Sequence, residues 1–113
     1  MERARRLRKG TEFDTAFSKG TVIGSSLLAV RYVANGSGVT RWGFAVGKRL
    51  AKRAVVRNRL KRRIREVARR LDVAPGYDFV VVARPALLVA ERSAIEPGLR
   101  RVLDRAGLLG APR

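Results

Sequence analysis

The chain has 113 residues, room for one domain around one modest core, and its 46% hydrophobic content is too high for a disordered basic tail. It has no Cys and no His, which excludes disulfides, thiol or imidazole nucleophiles and most zinc sites. Its net charge of +17, from 26 Lys and Arg against 9 acids, asks for a polyanionic partner, nucleic acid first and an anionic membrane surface second.

Residues 1–10 read as a flexible basic arm carrying Arg3, Arg5, Arg6, Arg8 and Lys9. No apolar signal core follows it and no apolar run approaches a membrane span, so a cytoplasmic protein without membrane contact is expected. Residues 11–18 read as a short helix, with Thr11 as N-cap, Glu12 and Asp14 in its first turn and Gly20 closing it. Phe13, Ala16 and Phe17 share one face of it. That face either packs on the core or lines a groove in which an unpaired base stacks.

Residues 21–35 are rich in β-formers, and Gly24 separates a short strand from a longer one. In the longer strand Leu28, Val30 and Tyr32 share one face, while Ala29, Arg31 and Val33 share the other. Arg31 among small residues marks the second face as a groove. Asn35-Gly36-Ser37-Gly38 is a turn, so a hairpin is expected with residues 39–47 as the returning strand. There Trp42, Phe44 and Val46 alternate with Gly43, Ala45 and Gly47. The small face suits either close approach of RNA or plain tight packing.

Residues 48–71 are the most basic stretch, with Glu66 as their one acid. Lys48, Arg49, Lys52 and Arg53 lead into an amphipathic helix. Val56, Leu60, Ile64, Val67 and Leu71 fall on one apolar arc. Arg57, Asn58, Arg59, Lys61, Arg62, Arg65 and Arg69 cover most of the rest. A solvated helix face usually alternates its charges for i,i+4 support, and this one stacks like charges. A helix that accepts that repulsion repeatedly has an anionic partner, so this stretch is the expected nucleic-acid contact.

After a turn through Pro75-Gly76, residues 78–83 form a continuous apolar run, the pattern of a strand buried on both faces. A last helix is expected over residues 93–106, with Ser93 and Glu96 as a capping box, and residues 108–113 as a flexible tail. The order α-β-β-β-α-β-α fits one α/β (α+β) domain over residues 11–107, a small two-layer sandwich with one mixed four-stranded sheet. The acids are scattered. Glu12 and Asp14, two residues apart on a helix, do not face each other, so the chain has little catalytic equipment of its own.

The run Gly43-Phe44-Ala45-Val46-Gly47-Lys48-Arg49, then Arg57-Asn58-Arg59-Leu60-Lys61-Arg62 and Ile64-Arg65, resembles the signature of the bacterial ribonuclease P protein component. Phe13 and Phe17 sit as two aromatics of that family do, and Asp78-Phe79-Val80-Val81-Val82-Ala83-Arg84 resembles its last strand. The resemblance covers residues 7–108. It implies a protein that partners a large catalytic RNA in removing the 5′ leader from precursor tRNA, with the catalytic Mg²⁺ held by the RNA and no cofactor on the protein. It implies a left-handed β-α-β crossover through the Arg-Asn-Arg helix, where ordinary handedness gives the opposite hand. The protein alone is expected to be a monomer.

Carried over by position, Arg57, Asn58, Arg59, Lys61, Arg62 and Arg65 resemble the residues that face the catalytic RNA and the leader near the cleavage site. Lys48, Arg49, Lys52 and Arg53 extend that surface. Asn58 either joins this contact, fixes the helix start or orients an Arg. Phe13, Phe17, Ala29 and Arg31 resemble the family's cleft for single-stranded leader, with Arg31 standing where an aromatic is common. Arg3, Arg5 and Arg6 add sequence-independent affinity. The rival readings are a generic basic RNA-binding protein of ribosomal type with no role in cleavage, and a self-sufficient nuclease using Glu12 and Asp14.

Overall fold

The protein is described by a computed structural model over residues 6–7 and 20–110. Strands β1 (Thr21–Gly24), β2 (Leu28–Ala34) and β3 (Arg41–Ala45) precede helix α1 (Ala54–Ala68). Strand β4 (Tyr77–Ala83), two short 3₁₀ turns at Pro85–Leu88 and Arg92–Ala94, and helix α2 (Ile95–Arg105) follow. The helix expected over residues 11–18 lies outside the described residues, as do Phe13 and Phe17.

The four strands form one mixed sheet in the order β1-β2-β4-β3. β2 pairs antiparallel with β1 and with β4, and β3 pairs parallel with β4. α1 is therefore the connection of a β-α-β crossover. The expected hairpin between β2 and β3 does not form, because β4 lies between them. The turn itself is as read: Gly36 has φ 70°, and Asn35 Oδ1 accepts from the Ser37 N–H at 2.9 Å. Its direction is set by the chain before β4, where the Gly76 carbonyl accepts the Asn35 N–H at 2.8 Å. The physical reason is burial. Phe79, Val80 and Val81 are fully buried, and only a central strand can hide apolar side chains on both faces.

One face of the sheet carries both helices. Leu28, Val30, Trp42, Phe79 and Val81 meet Leu60, Ile64 and Val67 of α1 and Leu99, Val102 and Leu103 of α2. Thus the apolar arc of α1 is its core face as the spacing predicts, with Leu71 buried just beyond the helix end. On the opposite face Leu7 and Val80 are buried beside Val33, Ala45 and Val82.

Three expectations need correction. Within the basic arm, Arg6 bridges to Trp42 and the Leu7 N–H donates to the Trp42 carbonyl at 2.7 Å, so residues 6–7 line the outer edge of β3. A buried apolar Leu7 is what anchors them. Within the expected tail, Leu108 is buried, Leu109 bridges to Val73 and the Gly110 N–H donates to the Asp72 carbonyl. Residues 108–110 are therefore packed. Finally, Ser93 does not cap α2. The N-cap is Ala94 with no side-chain bond, and the Glu96 carboxylate is taken by Arg70 and Arg100.

Candidate nucleic-acid interface

α1 begins without a capping side chain. Its N-cap is Arg53, which has no acceptor to offer, and its first turn contains no acid. The partial positive charge of the unsatisfied N–H groups therefore stands unopposed. Lys48, Arg49, Lys52 and Arg53, all exposed in the loop between β3 and α1, surround it. Along the helix, Asn58, Arg59 and Arg62 are exposed, while Arg57, Lys61 and Arg65 are half-buried along the flank of the apolar arc. The ten positions named from the sequence thus all lie on one continuous segment, a loop running into a helix.

Not all of these side chains point outward in the same way. Arg57 Nη1 donates to the carbonyls of Ala51 at 2.9 Å and Lys52 at 2.7 Å. It ties the loop to the helix start, the role that the sequence left open for Asn58. Arg65 lies over the ring of Phe44, 5.8 Å from its centroid, and its Nε is shut from solvent with no hydrogen-bond partner among the described residues. Burial lowers the Arg65 pKa, and the neighbouring charges of Arg6 and Arg62 lower it further, against an opposing pull from Glu66. A guanidinium held in this state gains from a phosphate more than a freely hydrated one does.

The expected leader cleft is described in part. Ala29 and Arg31 lie on the sheet face opposite α1 and α2, with Ala29 beside Val82, and Arg31 between Val22 and Val80. Ala29 is buried and Arg31 half-buried. Phe13, Phe17, Arg3 and Arg5 lie outside the described residues, and Arg6 is placed at the β3 edge.

A second set of arginines is grouped by the fold and not by sequence spacing. Arg63 of α1 and Arg70, in the turn just beyond it, face Arg92 and Arg100 across a groove of about 750 Å³ that also includes Arg62. The signal was present, since Arg63 and Arg70 are part of the basic run, but their far-side partners lie in a stretch without a charge cluster. Among the described residues no group of three or more His, Cys, Asp or Glu is placed to hold a metal ion, and no helix is long and apolar enough to cross a membrane.

The family model described as ribonuclease P matches residues 1–107. The ribonuclease P protein component of Roseiflexus castenholzii is 38% identical over 112 residues, covering 96% of this chain and 91% of that protein. That of Symbiobacterium thermophilum is also 38% identical, covering 96% of each. Among solved structures, the Staphylococcus aureus RNase P protein superposes with a TM-score of 0.84 at 28% identity, over 96% of this chain and all of that one. The RNase P protein from Thermotoga maritima gives 0.80 at 29% identity, over 88% and 96%. The sheet order, the crossover through an arginine-rich helix and these likenesses across nearly the whole chain have one reading: the chain belongs to the ribonuclease P protein family.

Proposed function

We propose that this chain is the RNA-binding subunit of a ribonuclease P, assisting a catalytic RNA in endonucleolytic removal of the 5′ leader from precursor tRNA. The observation that carries the proposal is the single basic surface formed by the β3–α1 loop and α1, with an uncapped helix start at its centre. Such a surface neutralises phosphates irrespective of sequence. In this reading Arg59, Lys61, Arg62 and Arg65 contact the catalytic RNA, while Phe13, Phe17, Ala29 and Arg31 hold the single-stranded leader. The Mg²⁺ ions and the bond-breaking groups belong to the RNA. That assignment agrees with a sequence lacking His and Cys and with dispersed acids. The protein works as a cytoplasmic monomer until it joins the RNA.

The test is precursor-tRNA cleavage at low Mg²⁺ with a bacterial ribonuclease P RNA, with and without this protein. Release of the leader at the correct site by the mixture, and by neither component alone, is the expected result. Tight RNA binding without rescue of cleavage, also with RNA from the protein's own source, would reduce the protein to a generic basic RNA-binding domain. Cleavage by protein alone would make it a self-sufficient nuclease.

A further inference from the structure

We propose that the groove between α1 and α2 seats an unpaired nucleotide of the catalytic RNA, a contact separate from that made by the outer face of α1. This rests on the reading that the chain binds the catalytic RNA.

The groove holds about 750 Å³, inside the ~300–1,000 Å³ range of pockets that take small ligands. Val67 and Ile95, both buried, and Pro97 give it an apolar lining. Its walls are unequally charged. Both acids that line it are already engaged. Glu66 Oε2 is 2.9 Å from Arg69, and Glu96 receives Arg70 and Arg100, each at 3.2 Å. Arg62, Arg63 and Arg92 have no acid partner among the described residues, and the Nε of Arg63 is buried with no acceptor. An apolar floor under unpaired guanidinium groups is the arrangement that stacks a base and holds its phosphates. A concave site of this kind admits a splayed base and turns away the convex flank of a duplex.

Arg62 decides which RNA strand this is. It belongs both to the groove and to the exposed side of α1, so a strand lying along that side reaches the groove over continuous positive charge. The expected leader cleft is on the other face of the sheet, where Ala29 and Arg31 are placed.

The chain has no Cys, so Ser93→Cys offers a single attachment point on the groove wall for a photoreactive aryl azide. Ala86→Cys, exposed in the Pro85–Leu88 turn and outside the groove, is the control. In the complex with catalytic RNA, the probe at residue 93 should crosslink an unpaired nucleotide of that RNA and the control should not. Arg92→Ala and Arg63→Ala should each reduce the slope of log affinity against log salt concentration by about 0.7 to 0.9, the loss of one phosphate contact to catalytic RNA. Arg59→Ala, on the exposed side of α1, reports on the underlying reading. If Arg59→Ala flattens the slope while both groove variants and the probe are silent, the groove is empty and the RNA-binding reading survives. If none of the three changes the slope, both fail. Crosslinks confined to the precursor leader would overturn the assignment of the strand.

Discussion

The guanidinium carbon of Arg65 lies 5.8 Å from the centroid of the Phe44 ring, and that ring is parallel to Trp42 within 2° at 6.2 Å. The charge of α1 is thereby seated on an aromatic pair whose inner member belongs to the core. The seat is electrostatically unfavourable, because burial and Arg6 both lower the Arg65 pKa. A base whose pKa is lower in the folded than in the unfolded chain opposes folding at every pH below the folded value, and so throughout the neutral range. Arg65→Met keeps a side chain over Phe44 and removes the charge. Its stability by urea denaturation should stay within about 0.5 kcal/mol of the parent or exceed it, while affinity for catalytic RNA falls several-fold. A loss of both together would mean that Arg65 is held for structure alone.

Arg57 and Arg59 are two positions apart in the same motif and should respond differently. Arg57 joins the helix to the Ala51 and Lys52 carbonyls, whereas Arg59 is exposed and makes no hydrogen bond or ion pair among the described residues. Arg57→Ala should cost about 1–2 kcal/mol, the worth of charge-assisted bonds at a partly solvated site. Arg59→Ala should leave stability within about 0.5 kcal/mol. Its effect should appear as a salt-dependence slope reduced by about 0.7 to 0.9. Denaturation and RNA titration across a salt series, run on both variants, separate the two roles.

The contrast shows what local pattern carries. The apolar arc from Val56 to Leu71 and the doubly buried run of β4 were legible because helix and strand periods are local properties. So was the break at Gly24, where β1 ends. The expected β2–β3 pairing fails because Asn35-Gly36 specifies a turn and nothing in it specifies which strand comes alongside. That choice is made by β4, which begins more than forty residues later and competes for the same edge. The α1–α2 groove escaped for a related reason. Arg63 and Arg92 line one groove only because the fold sets α1 against the turn that leads into α2, and a capping box that looked complete in Ser93 and Glu96 was outcompeted by two arginines.

Asp78 is the one buried charged residue among the described residues, and it holds the β3–β4 pair together at the end where the strands begin. Its two oxygens accept from Arg41 Nε at 2.8 Å and Nη2 at 2.9 Å, and Oδ1 also accepts from Asn35 Nδ2 at 2.9 Å. Removing Asp78 takes a bidentate carboxylate from Arg41 and one acceptor from Asn35. Asp78→Ala should therefore cost about 1.5–3 kcal/mol, above a surface substitution. Denaturant midpoints of Asp78→Ala and Asp78→Asn check this. An Asp78→Ala midpoint equal to the parent's would show that the pair contributes nothing net.

Phe17 tests the leader cleft. In the proposed reading it holds the leader together with Ala29 and Arg31, and those two lie on the sheet face away from α1 and α2. Loss of a stacked base costs about 1–3 kcal/mol, so Phe17→Ala should weaken leader-bearing precursor by roughly that amount and mature tRNA by much less. Equal losses for both RNAs would place Phe17 in the core.

Glu96 is the acid that restrains the groove, and its removal should strengthen RNA binding. Its contacts with Arg70 and Arg100 are between half-exposed side chains, so each contributes about 0–1 kcal/mol. Glu96→Gln keeps the shape of the side chain, removes one negative charge and releases two guanidinium groups toward the groove. Stability should change by less than about 1 kcal/mol, while catalytic-RNA affinity rises and its salt dependence steepens. The same substitution in the Arg92→Ala background should gain less, because the released arginines then face a groove already missing one of its phosphate contacts. Weaker binding by Glu96→Gln with unchanged stability would mean that the two ion pairs shape the RNA surface and do not merely restrain it.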